Sequence, residues 1–250
     1  MTMHFFGDSW TAGCELNGYI SLEMKLSSGY NERFAHMLSH ENKCAHLMKD
    51  LAYPAIIGKS LNESIVNHGI TASSQDRMLY EFNNTDIKSG DDAIFALTSP
   101  FRKSCLTDEN EIVDIQWDEN DNYLNEYNSN WRSSQTCLLL YLICRQLGIN
   151  AWFVNAFTVV DTRMQCNLWD MIPDRCWLIP KDENMVSWLF DEDVTQWAHE
   201  GNLFDWLNTE NDAVKKYIRP CKAHPNLLGH QKIAECIAKE ISHRKNPMNA

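Results

Sequence analysis

The sequence predicts an α/β protein, a parallel sheet covered by helices on both faces. Two observations predict it. Short apolar runs of strand length recur along the chain: "MHFFG", "SIVNHG", "DDAIFALTS" and "INAWFVNAFTVV". Between them lie longer segments with apolar residues at helical spacing, and this alternation marks strands joined by crossover helices. The 250 residues suffice for one such domain, spanning 1–250, with a sizeable core.

His4 to Gly7 reads as the first strand, and Asp8 and Ser9 open a small-residue turn after it. "GYNERFAHMLSH" places Tyr30, Phe34 and Leu38 at helical spacing and predicts an amphipathic helix. "SIVNHG" is the second strand. "SSQDRMLYEF" is a helix with Ser73 or Ser74 as its cap. The third strand is apolar from Ala93 to Leu97. "SSQTCLLLYLICRQLG" predicts a helix apolar on most faces, hence buried, that ends at Gly148. The fourth strand is expected over 149–160, and "RCWLIP" suggests a further short one. "NLFDWLNTE" and "DAVKKYI" read as short helical pieces. The last helix lies in "NLLGHQKIAECIAKEISHRK", with Asn226 as cap, Ile233, Ile237 and Ile241 on one stripe, and basic residues near its end.

The third strand is followed by an acidic stretch. Residues 108–122 carry seven carboxylates and no basic side chain, and their "EIVDIQW" segment predicts an exposed hairpin inserted within 100–130. An insertion over the strand ends suits either a lid or a solvated loop.

Composition narrows the function. The formal charge of −12 leaves no basic surplus for nucleic-acid phosphates or an anionic membrane, so neither is an expected partner. No apolar run approaches the roughly 20 residues a membrane helix needs, and no basic-then-apolar export signal precedes the first strand. Nine cysteines without regular spacing read as reduced thiols, some buried like Cys137 and Cys144, and imply a cytoplasmic folding compartment.

In a parallel sheet, ligands bind at the carboxyl ends of the strands. Ser9 follows the first strand, Gly69 and Thr71 the second, and Thr98 and Ser99 the third; His224 stands just before the last helix. These positions should converge on one edge. A serine hydroxyl needs a base before it attacks, and His224, stiffened by Pro225, is the candidate.

"FFGDSWTAG" resembles the first block of the SGNH, or GDSL-type, hydrolases, and "AHPNLLGHQKIAECIA" resembles their last; "NHGITASS" is similar to the second. The resemblance runs from residue 4 to about residue 241. It implies a three-layer α/β/α fold with a five-stranded, flavodoxin-like parallel sheet. It also implies an acylhydrolase acting on small acyl esters of carbohydrates or lipids, without a cofactor. Carried over, it makes Ser9 the nucleophile and His224 the base, with oxyanion donors at the N–H groups of Ser9 and Gly69, and Asp8 bracing the loop. Trp10, beside the nucleophile, becomes a candidate wall for a sugar ring or acyl chain.

Two blocks depart from the pattern. The third normally carries an Asn that donates to the oxyanion, whereas here the strand runs "ALTSPFR", similar to a variant in phage-type relatives. Thr98 or Ser99 would then supply a hydroxyl and Arg102 a charge. The acid that orients the histidine usually stands two or three residues before it, but those positions are Lys222 and Cys221. A backbone carbonyl or Asp212 remains as its substitute. These departures keep open a second reading: a non-catalytic binding or structural module of the same fold, associated with a virion, with itself or with a structural protein.

Metal readings fare worse. Cys221 and His224 have no second pair at zinc-like spacing, and the run from Asp118 has Tyr123 and Ser129 where a calcium loop needs Gly and Glu. No metal site is expected.

Overall fold

The computed structural model describes residues 1–13, 49–70, 73–98, 103–106, 112–115, 124–156, 168–181, 183–190, 216–218 and 224–245. In chain order the elements are β1 (Thr2–Phe6), α1 (Ser9–Ala12), α2 (Tyr53–Leu61), β2 (Ser64–Asn67), α3 (Gln75–Asn83), β3 (Asp92–Leu97), β4 (Lys103–Leu106), β5 (Ile112–Ile115), α4 (Leu124–Leu147), β6 (Asn150–Asn155), α5 (Met185–Phe190) and α6 (Leu227–Lys245). Two single turns of 3₁₀ helix, Leu168–Met171 and Asp174–Cys176, lie between β6 and α5.

The main sheet is parallel, in the order β2-β1-β3-β6. β3 is buried along its whole length, whereas β2, at the edge, alternates between exposed and half-buried. The strands' two-residue period divides the core. Met3, Phe5, Ile94, Ala96 and Val154 face α2, α5 and α6, where Tyr53, Ile57, Leu189, Ile233, Ile237 and Ile241 meet them. Phe6, Ala93, Phe95, Leu97 and Phe153 face α3 and α4, against Met78, Phe82, Cys137, Leu140 and Cys144. The result is the expected three layers.

The strand count differs from the expected five. Among the described residues the sheet has four strands, and the fifth position is a single parallel bridge from Trp177 to Phe153, with the Leu178 N–H donating to the Phe153 carbonyl at 2.8 Å. Pro173 and Pro180 bracket this segment and cannot donate to a ladder, which keeps the pairing to one bridge. A row of rings still crosses the sheet here. Phe6, Phe95 and Phe153 stack at 5.4 and 5.3 Å, Trp177 continues the row at 5.6 Å, and His68 closes its other end at 4.5 Å from Phe6.

Other expectations resolve individually. Ser74 is the cap of α3, accepting from the Arg77 N–H at 3.1 Å. Asn226 caps α6 through the Gly229 N–H at 3.0 Å, and Gly148, at φ 71°, stops the chain after α4. β4 and β5 pair antiparallel, forming the predicted hairpin after β3. α4 begins at Leu124, earlier than expected, and is not buried all round: Leu139 and Leu142 are each 45% exposed. A 24-residue helix laid on one face of a sheet turns its far side to water whatever its composition. β6 ends at Asn155 rather than near 160. The predicted helix over 29–40, the piece over 202–210 and most of "DAVKKYI" lie outside the described residues.

Candidate active site

β1 delivers the chain to the carboxyl edge of the sheet. Gly7 makes the turn, and Asp8 caps α1, its Oδ1 accepting the Trp10 N–H at 3.1 Å. Ser9 is the first residue of this one-turn helix, which Gly13 closes in the left-handed conformation at φ 73°. At the other end of the chain, Ile218 and Pro225 form an antiparallel bridge. The Asn226 N–H donates to the Tyr217 carbonyl at 2.8 Å, and its side-chain amide donates to the Lys216 carbonyl at 2.9 Å. These bonds seat His224 immediately before α6. His224 Nε2 lies 2.9 Å from Ser9 Oγ, across 215 positions of sequence.

Asp8 is fully buried, and its second oxygen accepts the Thr98 hydroxyl at 3.0 Å. The Thr98 carbonyl in turn accepts from Gln75 Nε2 at 3.0 Å, and Gln75 Oε1 accepts the hydroxyl of Ser133. A line of buried polar groups thus runs from α1 through the end of β3 and the start of α3 to α4. Asp8 braces the loop, as expected. Thr98, offered as an oxyanion donor, directs its hydroxyl inward to Asp8 instead, because a buried carboxylate takes the nearest donor.

Gly69 packs on α1 so closely that an added Cβ would stand 2.7 Å from the Thr11 carbonyl carbon, among backbone atoms. The clamp is Asn67. Its Nδ2 donates to the Thr11 carbonyl at 2.7 Å and its Oδ1 accepts the Gly69 N–H at 2.9 Å. The N–H expected to face an oxyanion is therefore engaged by a side chain two residues earlier. Trp10 also departs from expectation. It is 1% exposed and belongs to the core with Met3 and Phe5, where its indole is packing rather than a wall for substrate. Ser99, Arg102, Thr71, Asp212, Cys221 and Lys222 lie outside the described residues.

Burial lowers the pKa of three histidines. His230 is pushed down to about 3 by desolvation, with His224 nearby adding to the effect. Its Nδ1 accepts the Tyr53 N–H at 3.1 Å. His68 is pushed down to about 4, chiefly by desolvation. It lies 3.1 Å, nitrogen to nitrogen, from His4, whose own pKa burial lowers against the opposing pull of Asp91. Sequence reasoning passed over Tyr53 and Asn67. Neither stands in a recognisable motif: Tyr53 acts through Thr11 and His230, and Asn67 ties Gly69, two residues on, to Thr11, 56 positions away.

Among the described residues, no group of three His, Cys, Asp or Glu side chains is placed to hold a metal ion, and no helix is long and apolar enough to cross a membrane.

No protein-family model matches the chain, and no curated protein sequence matches it. Solved structures do. A protein from Desulfitobacterium hafniense assigned to the lipolytic G-D-S-L family is 14% identical, with 96% of this chain and 98% of that one covered and a TM-score of 0.44. A carbohydrate esterase whose active site has divergent catalytic and non-catalytic binding functions is 11% identical, covering 96% and 68%, with a TM-score of 0.48. The acetyl xylan esterase AlAXEase is 10% identical, covering 96% and 100%, with a TM-score of 0.42.

Proposed function

We propose that the chain is a serine acylhydrolase of the SGNH type that removes small acyl groups from a carbohydrate or lipid ester. The observation that carries this reading is the 2.9 Å approach of His224 Nε2 to Ser9 Oγ at the carboxyl edge of the sheet. With its proton on Nδ1, the imidazole accepts the Ser9 hydroxyl proton as Oγ attacks the ester carbonyl carbon. The electron pair of the C=O bond moves to oxygen, and the Ser9 N–H, at the first position of α1 where the helix itself offers no acceptor, is the donor this reading assigns to that developing charge. The intermediate collapses, the C–O bond to the alcohol breaks, and the imidazolium returns its proton to the departing oxygen. Water repeats the sequence on the acyl-serine and releases the acid. Asp8 holds the turn on which Ser9 stands.

A fluorophosphonate probe tests this directly, because it reacts with activated serines. Wild type should label, and Ser9→Ala and His224→Ala should not. An unlabelled wild type beside a reactive control hydrolase overturns the proposal.

One observation favours a second reading, a non-catalytic binding or structural module on the same fold. The Gly69 N–H and the Thr98 hydroxyl, both offered as oxyanion donors, are each taken by an internal acceptor. The same labelling experiment separates the two.

A further inference from the structure

We propose that Tyr53 sets the separation of Ser9 and His224, as a positioning residue that spans the two segments carrying them; this rests on the acylhydrolase reading above. Tyr53 opens α2, where the preceding Ala52 offers no side-chain cap. The first N–H of a helix has no acceptor within it. Here α6 supplies one, since the Tyr53 N–H donates to His230 Nδ1 at 3.1 Å, six residues beyond His224. The other end of the same residue reaches α1: the Tyr53 phenol oxygen is 2.9 Å from Thr11 Oγ1, two residues beyond Ser9.

Tyr53, Thr11 and His230 are all fully buried. Water cannot replace either bond, so breaking one strands a buried polar group. The ring is held on two sides as well. It meets Phe5 of β1 edge-on at 6.0 Å and lies nearly parallel to the His230 ring at 6.1 Å. Burial raises the phenol's pKa, so its proton remains available to bridge to Thr11. One buried residue therefore joins α1, through its phenol, to α6, through its backbone N–H. Its partners lie two and six residues from the reacting pair, close enough for a shift in Tyr53 to become a shift between Oγ and Nε2.

The test is the second-order rate of fluorophosphonate labelling, measured well below each variant's thermal midpoint. Tyr53→Phe keeps the ring and removes the link to Thr11, and it should slow labelling about tenfold, as sub-ångström misplacement does. Thr11→Val should match it, and the double variant should be no slower than the slower single, since all three lose the same bond. Thr11→Ser, which retains a hydroxyl, should restore the rate. A residue that only stabilises the fold would lower the midpoint and leave the rate of the folded protein unchanged. Wild-type labelling in Tyr53→Phe and Thr11→Val overturns this inference and leaves the acylhydrolase reading standing. A wild type that does not label overturns both. If Tyr53→Phe does not fold, the contrast between Thr11→Val and Thr11→Ser decides alone.

Discussion

Asp8 and Thr98 join the end of β3 to the start of α1 through one buried hydrogen bond of 3.0 Å. The same carboxylate caps α1. Replacing Asp8 by Ala removes a cap, worth about 1 kcal/mol, and strands a buried hydroxyl, worth about 1–3 kcal/mol. Asp8→Ala should therefore lose about 2–4 kcal/mol of unfolding free energy, read from the denaturant midpoint. A loss under about 1 kcal/mol would mean the brace is redundant.

Gly69 is fixed by contact rather than by its backbone angles. Gly69→Ala places a methyl against the Thr11 and Ala12 backbone, where nothing flexible can give way. Overpacking of this kind costs about 1–3 kcal/mol, and the strain falls on α1, so labelling of Ser9 should slow as well. Gly90→Ala is the control: its added Cβ meets nothing within 4 Å, and only its φ of 90° penalises the change. It should destabilise without altering labelling.

Asp92 is fully buried, and Lys245 approaches its Oδ2 at 2.7 Å while the Trp152 indole donates to Oδ1 at 3.0 Å. Lys245→Ala leaves a buried carboxylate without its cation, and removing one partner of such a pair costs about 3–5 kcal/mol. The 3.0 Å pair of Arg132 with Asp76 is different, for the arginine is 48% exposed. Arg132→Ala should change stability by less than about 1 kcal/mol. Equal losses in the two variants would contradict the burial argument.

Acid should unfold the protein early. His230 and His68 titrate near 3 and 4 in the folded chain, and His4 also lies below its ordinary value of 6.5. Unfolded, all three take up protons near 6.5. The unfolded state thus binds more protons between about pH 6.5 and 3, and stability falls as pH falls through that window. It is complete above about 6.5. Denaturant midpoints at pH 7.5, 6 and 5 should decline steadily, and His68→Gln should shallow the decline. A flat profile would show that these rings are hydrated in solution.

Most of the sheet was legible because its strands are buried on both faces and read as unbroken apolar runs. The caps Ser74 and Asn226 and the stop at Gly148 were legible because each acts within three residues of itself. α2 was missed: its opening Ala-Tyr-Pro has no local cap, and the acceptor that completes it is His230, 177 residues away. The fifth strand shrank to a bridge because apolarity signals burial while the flanking prolines limit pairing. In the candidate site, Ser9 and His224 could be named from their surroundings. The engagement of Thr98 by Asp8 and the burial of Trp10 could not, since each depends on how distant segments dock; the bond from the Gly69 N–H to Asn67 is local, but what holds the Asn67 amide there is the Thr11 carbonyl, 56 positions away.

The 215 positions that separate Ser9 from His224 also order events during synthesis. A chain leaving the ribosome at roughly 5–20 residues per second exposes the serine first and its imidazole partner only some tens of seconds later. Until then β1, α2 and the β3 layer can assemble around a hydroxyl that has no base beside it. The close approach of the two side chains therefore comes into being only when α6 docks, and on the acylhydrolase reading that docking is the step at which the edge of the sheet becomes a site.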